Sequence, residues 1–218
     1  LFAACDAGAL KLDAVIIVTP HRLHQEQALA AMKRGLHVLC DKPAGIASSQ
    51  ARIMEEACPQ NLTSAFIFQK RALPAYQEIR RLVQSGIYGR IKRISWTVTD
   101  WYRPNFYYEE VPWRGTWKLD GGGTLLNQCP HNLDLLQWIC GMLHSSASFI
   151  YPKYRREIIP TTEDGQPYLD ILNNFAAAAV SPAPLIAPGA EGRKSLLLSN
   201  AIYLSSWTGK MVSIPQPG

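Results

Sequence analysis

The 218-residue sequence lacks the features that mark several large classes of protein. No apolar run approaches the roughly 20 residues that a membrane-spanning helix needs, so we expect no membrane partner. The five cysteines are odd in number and show no Cys-x-x-Cys spacing, which argues against a disulfide framework and a thiolate zinc site. The first residues contain neither an initiator Met nor a signal peptide. We therefore predict a cytoplasmic protein whose chain began upstream of Leu1.

Clustered positive charge is also missing. The formal net charge is +5, and the basic residues occur as short, scattered pairs with no accompanying nucleic-acid-binding motif. We therefore expect no nucleic-acid partner, although a mild positive excess suits an anionic dinucleotide. Apolar residues make up 47% of the chain and charged residues 18%, which is the balance of an ordinary globular protein.

The first 69 residues alternate between apolar runs and helical patterns. Short runs rich in β-branched residues predict parallel strands that are buried on both faces. Proline after the first run and glycine near residue 35 suit the start and end of a helix. The predicted strands are Leu12–Val18, His37–Cys40 and Leu62–Phe68, and the predicted helices are His21–Arg34 and Ser48–Cys58. This order is typical of a parallel α/β sheet with right-handed crossovers.

The pattern changes near residue 70, where we place a boundary between domains 1–69 and 70–218. Ile91–Thr99 alternates between apolar and polar residues, which predicts a strand of a sheet buried on one side. Trp101–Trp117 is rich in aromatic residues and irregular, as in a long connection over a pocket. Further helices are predicted at Pro74–Ser85, Leu125–Cys140, Tyr168–Val180 and Ser195–Trp207.

Two turns follow predicted strands and therefore lie at the same edge of the sheet. Thr19-Pro20-His21 also begins a helix, whose free N–H groups favour a ligand, although an ordinary capped turn would have the same sequence. Asp41-Lys42-Pro43 places a lysine where it can hydrogen-bond a substrate hydroxyl or a cofactor ribose. The alternative for Lys42 is a solvated surface lysine.

A glycine triplet, Gly121–Gly123, allows the backbone to approach a ligand closely. His131 and Asp134 follow it, three residues apart on one helical face, so the carboxylate can orient the imidazole. The alternative is a polar helix face in water. Pro130 favours a helix that begins near Cys129 over one that runs through this position.

Other catalytic constellations are not supported by the sequence. His21, His24 and His37 lack a further ligand motif, so we expect no metal. Cys129 and His131 are two residues apart and would face different ways on a helix, which argues against a nucleophile and its base. The sequence contains no Gly-x-Ser-x-Gly elbow, no P-loop and no Gly-x-Gly-x-x-Gly motif.

Three stretches together resemble the Gfo/Idh/MocA family of oxidoreductases. DAVIIVTPHRLHQEQALAAMKRGLHVLCDKPAG is similar to the second half of that family's Rossmann domain, with its Thr-Pro turn, later His and Glu-Lys-Pro turn. GGGTLLNQCPHNLDLLQWICG is similar to its active-site segment, a glycine triplet followed by Asp and, four residues later, His. EGRKSLLLSNAIYLSSWTGKMVSIP is similar to its late helix. The order of the first two motifs makes the resemblance specific.

The resemblance implies an NAD- or NADP-dependent enzyme that moves hydride to or from a sugar, a polyol or a related small molecule. It implies that Lys42 orients the substrate hydroxyl and that His131 is the general acid and base. The cofactor-binding residues it implies are Thr19, Pro20, His24, Asp41, Lys42 and Arg71. The substrate-binding residues it implies are Trp113, Arg114, Asn127, Gln128 and His131.

The sequence also departs from the family's pattern. Asn127 stands at the frequent Asp position and cannot act as a base, and Asp41 replaces the usual Glu. The Gly-rich first unit of the Rossmann domain is missing before Leu12, and we expect strands of the family's C-terminal sheet to be missing between about Met142 and Arg155. The expected fold is therefore a partial Rossmann-type parallel sheet followed by a partial α+β domain with a mostly antiparallel sheet, through which copies of the chain would associate. The alternative function is a non-catalytic fragment or binding remnant of such an enzyme.

Overall fold

A parallel β-sheet forms the centre of the first half of the chain. In the computed structural model, residues 1–96, 103–142 and 165–214 are described. Three strands, β1 (Ala14–Ile17), β2 (His37–Asp41) and β3 (Ser64–Ile67), pair in parallel in the order β1-β2-β3. The predicted parallel α/β sheet is therefore confirmed, with β1 and β3 shorter at their ends than the predicted runs and β2 one residue longer.

Helices cover this sheet because their small and apolar residues face it. A 3₁₀ turn at His21–Leu23 leads into α2 (His24–Met32), which connects β1 to β2, and α3 (Ser48–Ala57) connects β2 to β3. Ala28 and Ala31 of α2 are fully buried, so the helix backbone lies close to the sheet. A short helix that the sequence reasoning did not predict, α1 (Phe2–Asp6), precedes β1.

The second half is helical in its described part. The helices are α4 (Pro74–Gln84), α5 (Asn105–Glu109), α6 (Pro130–Cys140), α7 (Pro167–Val180) and α8 (Gly192–Thr208). The shorter turns are 3₁₀ at Gln69–Ala72 and Gly189–Glu191 and π-helical at Thr124–Gln128. Three of these helices, α4, α6 and α7, begin with proline. An N–H at the first helical position has no partner within the helix, so the missing N–H of proline costs no hydrogen bond there. The predicted helix Leu125–Cys140 is thus two elements, divided before Pro130.

The strand predicted at Ile91–Thr99 is wrong for its described part, since residues 91–96 are neither strand nor helix. Ile91, Ile94 and Trp96 are exposed, so the alternation of apolar residues does not face a packed layer there. The remainder of that segment, the first residues of Trp101–Trp117 and the region around residue 143 lie outside the described residues. The predicted antiparallel sheet is not found among the described ranges, where the three parallel strands form the one sheet.

Across those same ranges, no helix is long and apolar enough to cross a membrane.

Helix α8 returns to the sheet and packs between the two halves of the sequence. It contacts α3 on one side and α6 on the other. Its first residue, Gly192, lies against the ring of Phe66 in β3, which is itself almost fully buried. A Cβ at position 192 would lie 2.3 Å from Cε2 of Phe66, so glycine is what permits this close approach.

We therefore expect Gly192→Ala to destabilise the fold by about 1–3 kcal/mol, because the extra methyl group overpacks a filled core. Gly165→Ala is the control, since its Cβ would meet Leu73 at 3.5 Å, an ordinary contact. Urea unfolding followed by circular dichroism measures both variants. Equal midpoints for Gly192→Ala and the wild type would contradict the packing of α8 on β3.

Candidate active site

The turns that follow β1 and β2 lie side by side, because Ile17 and Cys40 pair at the carboxyl ends of these strands. The buried ring of His24 joins the two turns. Its Nε2 lies 2.7 Å from the Thr19 carbonyl oxygen and its Nδ1 lies 2.8 Å from that of Pro43. Burial lowers the pKa of His24, and the two carbonyl groups oppose that shift. Both turns are therefore held in one arrangement.

Lys42 is directed from the second turn toward the glycine-rich segment. Its Nζ donates a hydrogen bond to the backbone carbonyl of Asn127 at 3.0 Å, and its backbone N–H donates to Asp41 at 2.9 Å. Burial lowers the pKa of the Lys42 ammonium, while Asp41 and Asp120 act to raise it. The interpretation of Lys42 as a solvated surface residue is therefore wrong.

The glycine triplet forms a tight loop beside Lys42. All three glycines have positive φ angles, 81°, 121° and 91°, which other residues rarely adopt. A Cβ at Gly122 would also lie 2.5 Å from the ring of Trp117, and one at Gly121 would lie 2.8 Å from Ile46. This loop brings Asn127 to the lysine and leads directly into α6.

His131 lies in the first turn of α6 and is 5% exposed. Its Nε2 lies 3.3 Å from Nε2 of Gln69, and its ring packs edge-on against Phe68. Burial, with the charges of Lys42 and Lys70, lowers its pKa to about 3. The imidazole is therefore neutral at pH 7. Its Nδ1 and the nearby Oε1 of Gln69 are both buried without a hydrogen-bond partner among the described residues.

Asp134 does not orient His131, contrary to the sequence prediction. Its two carboxylate oxygens accept hydrogen bonds from Nη2 and Nε of Arg71, at 2.5 and 2.7 Å. Glu191 lies 3.1 Å from the same guanidinium. Burial raises the pKa of Asp134, and Arg71 opposes that shift. Arg71 is 1% exposed and belongs to a buried ion-pair network with Asp134 and Glu191, and its assignment to cofactor binding stays a prediction.

The predicted substrate-binding residues near Trp113 are arranged in different ways. Trp113 lies edge-on to His21, with ring centroids 5.2 Å apart. The guanidinium of Arg114 stacks over Tyr107, 4.1 Å from the ring centre, and donates to the Tyr107 carbonyl. The side-chain oxygen of Gln128 is buried and has no partner within the described part of the chain. Among the described residues, these contacts of Arg114 join it to Tyr107 and not to Lys42 or His131.

Asp120 is a buried carboxylate that the sequence reasoning missed. It is fully buried, and its Oδ2 accepts hydrogen bonds from the Gly115 N–H at 2.6 Å and from Asn127 Nδ2 at 3.3 Å. Nδ1 of His21 lies 3.0 Å from both the backbone carbonyl oxygen and Oδ1 of Asp120. Burial acts to raise the pKa of Asp120, but these partners outweigh it and the pKa lies below its ordinary value. Its position next to the glycine triplet was the one available signal.

The described histidines of the site bind different partners. Within residues 1–96, 103–142 and 165–214, no three His, Cys, Asp or Glu side chains are grouped as metal ligands. His21 contacts Asp120, whereas His24 contacts backbone carbonyls.

Two family models match the chain, one after the other. The model described as an oxidoreductase family with an NAD-binding Rossmann fold, GFO_IDH_MocA, matches residues 3–86. The model described as the GFO/IDH/MocA C-terminal domain matches residues 76–169. The two therefore cover most of the chain in the order in which its motifs occur.

Individual proteins also match the chain in sequence, each over part of its length. The rhizopine catabolism protein MocA of Rhizobium meliloti is 25% identical over 132 residues, which is 60% of this chain and 39% of that protein. The D-glucoside 3-dehydrogenase of Escherichia coli is 32% identical over 137 residues, which is 61% of this chain and 37% of that enzyme. The matched region thus spans less than half the length of these relatives.

A solved structure shares the fold. The WlbA dehydrogenase of Bordetella pertussis, determined in complex with NADH and UDP-GlcNAcA, superposes with a TM-score of 0.77 at 23% identity. The superposition covers 100% of this chain and 83% of WlbA.

The low pKa of His131 predicts a loss of stability in acid. The unfolded chain binds a proton at this residue near pH 6.5 and the folded protein only near pH 3. Stability therefore falls as pH falls between these values, and from pH 7 to pH 5 His131 accounts for about 2 kcal/mol. We expect His131→Gln to lack that part of the loss.

Urea unfolding of both proteins at pH 7 and pH 5 measures this difference. The comparison is between the two pH-dependent losses, so the contributions of all other groups, including His24, cancel. The same loss in His131→Gln and the wild type would show that His131 is not held neutral by its surroundings.

Proposed function

The chain belongs to the Gfo/Idh/MocA family of oxidoreductases, and on that premise we propose that it serves NAD(P)-dependent hydride transfer on a sugar or polyol. The transfer would take place between the nicotinamide and a carbon that bears a hydroxyl or a carbonyl group. The observation that carries the proposal is the hydrogen bond by which Lys42 reaches Asn127, four residues before His131. The lysine reaches the segment that leads into α6, and its charge contributes to the low pKa of His131.

Lys42 has the chemistry of a group that binds the reacting oxygen. An ammonium group donates hydrogen bonds to a hydroxyl and stabilises the negative charge that develops on it, most strongly where water is excluded. Its fixed contact with the Asn127 carbonyl leaves two of its three N–H donors for a ligand. We therefore assign to Lys42 the orientation of the substrate oxygen.

His131 has the chemistry of the proton carrier. A neutral imidazole accepts the hydroxyl proton during oxidation. The imidazolium that forms is a strong acid in this buried place, so it returns the proton readily to a carbonyl oxygen during reduction. We assign this contact to the imidazole of His131, which is neutral at pH 7. Asn127 cannot take a proton, so this task falls to His131 alone.

The residues present fit the nicotinamide end of a dinucleotide. Thr19, Pro20, His24 and Asp41 form or support the two turns at the carboxyl edge of the sheet, which is where open α/β sheets bind such cofactors. The unpartnered oxygen of Gln69, beside His131, offers an acceptor to a polar ligand. The nicotinamide, when bound, supplies or accepts the hydride. NAD and NADP remain equal candidates, since the sequence contains no Gly-x-Gly-x-x-Gly turn with its ribose-reading acid.

The substrate class rests on the relatives. The D-glucoside 3-dehydrogenase of Escherichia coli is a matching protein whose name states a sugar substrate. We extend this only to the class, a small polyhydroxylated molecule. The five cysteines are all free, which supports a reducing, cytoplasmic location. Association of copies through a C-terminal sheet stays a prediction.

The second candidate is a non-catalytic binding module. It needs only the fold that the chain shares with its relatives, and the matched region spans less than half of their length. This candidate predicts no cofactor binding, and the titration below separates it from the first.

We expect NADH or NADPH to bind the chain and Lys42→Met to weaken binding about tenfold, because a hydrogen bond from a charged group is lost. The measurement is cofactor fluorescence, with thermal shift as a second readout. Lys11→Met, at an exposed lysine before β1, is the matched control and should bind as the wild type does. No fluorescence change and no thermal shift at millimolar cofactor would refute the enzyme and favour the binding module.

We expect His131→Asn to lower turnover by about 10²- to 10⁴-fold, because the general acid and base is removed. NADH formation with a panel of hexoses, hexosides and cyclic polyols measures it. His37→Gln, at the opposite end of β2, should retain activity. A His131→Asn rate equal to that of the wild type would show that another group carries the proton.

A further inference from the structure

The buried carboxylate of Asp120 lies outside both catalytic assignments, yet it connects the parts of the site. Its Oδ2 accepts from Gly115 and from the Asn127 amide, which fixes the loop around the glycine triplet. Its Oδ1 faces His21, which follows the Thr19-Pro20 turn. The backbone carbonyl and the side chain of Asp120 together therefore connect the glycine segment to the turn at the end of β1.

Asn127 lies between Asp120 and Lys42. Its side-chain nitrogen donates to the Asp120 carboxylate at 3.3 Å, and its backbone carbonyl accepts from the Lys42 ammonium at 3.0 Å. An ionised carboxylate only accepts hydrogen bonds, so the amide nitrogen and not the amide oxygen must face it. Both the side chain and the backbone of Asn127 are therefore fixed by charged groups.

The charges around Lys42 come from several elements. Asp41 at the end of β2 and Asp120 before the glycine triplet both favour the ammonium form, while Arg103 opposes it. His131 on α6 is neutral at pH 7 and adds no charge there. Burial is the largest influence and lowers the pKa of Lys42. Asp120 is thus one of two carboxylates that offset the burial of this lysine.

We infer that Asp120 is a positioning residue that holds the Lys42 ammonium charged and, through Asn127, aimed into the site. The inference rests on the proposed function in one respect, because only there is Lys42 the group that binds the reacting oxygen. The contacts of Asp120 with Gly115 and Asn127 exist independently of that role.

Asp120→Asn tests the inference, because it removes the charge and keeps an oxygen for the Gly115 N–H. Trace acetylation of the protein with acetic anhydride from pH 7 to pH 11, with the Lys42 peptide quantified by mass spectrometry, gives the pKa of this one amine. We expect it to fall by about one unit in Asp120→Asn, since a neighbouring opposite charge shifts a pKa by one to three units. At pH values below both pKa values, Lys42 would then react about tenfold faster.

Two further variants separate charge from shape. Asp13→Asn makes the same change at an exposed carboxylate before β1 and should leave the reactivity of Lys42 unchanged. Asp120→Glu restores the charge and should bring the pKa of Lys42 back toward the wild-type value. A pKa of Lys42 that is the same in Asp120→Asn and in the wild type would overturn the inference.

Asn127→Ala provides a second test if Asp120→Asn does not fold. It keeps the carboxylate and removes the amide that connects it to the carbonyl partner of Lys42. We expect Lys42 to be acetylated several-fold faster at a fixed pH, because its carbonyl partner is no longer held. An unchanged rate would overturn the connection through Asn127.

The labelling needs neither cofactor nor substrate, so its outcome is separate from that of the proposed function. A chain that binds no NADH and still shows the dependence of Lys42 on Asp120 would refute the function and support the inference. A chain that binds NADH with an unaltered Lys42 in Asp120→Asn would do the reverse.

Discussion

The ion pair between Arg71 and Asp134 is the interaction on which the arrangement of the site depends. Arg71 lies directly after β3 and Asp134 lies on α6, so their two hydrogen bonds attach the helix that carries His131 to the sheet. Glu191, just before α8, joins the same guanidinium. Removing one partner of such a pair leaves an uncompensated buried charge, which typically costs about 3–5 kcal/mol. The position of His131 relative to Lys42 therefore rests on charges that take no part in the chemistry.

The site itself combines burial with a small number of opposing charges. Burial lowers the pKa of both Lys42 and His131, which are drawn together by the glycine loop. The imidazole of His131 is therefore neutral at pH 7, whereas the carboxylates of Asp41 and Asp120 favour the charged form of Lys42. The result is a charged donor beside a neutral acceptor, which is the pair that removal of a proton from a hydroxyl group requires. On an exposed surface, burial would not lower the pKa of either residue.

Local sequence signals predicted the elements well where they were unambiguous. The run LDAVIIV predicted a parallel strand, and Pro74, Pro130 and Pro167 marked helix starts, because both signals act within a few residues. The prediction that this strand is buried on both faces was wrong, since Ile16 is 53% exposed. The alternation over Ile91–Thr99 predicted a strand that its described part does not form. Alternation records only which faces differ in polarity, and a strand also needs a neighbour with which to pair.

The sequence by itself determined the parallel sheet, the two turns at its carboxyl edge, and Lys42 and His131 as the residues to which catalysis is assigned. Only the tertiary structure decided the partners of the buried charges. Helical spacing placed Asp134 beside His131, but Asp134 binds Arg71 instead. Asp120 gave almost no signal, because its importance comes from His21 and Asn127, which approach it through space. Helical periodicity fixes the face on which a residue lies, whereas the need to pair each buried charge is satisfied between segments distant in sequence.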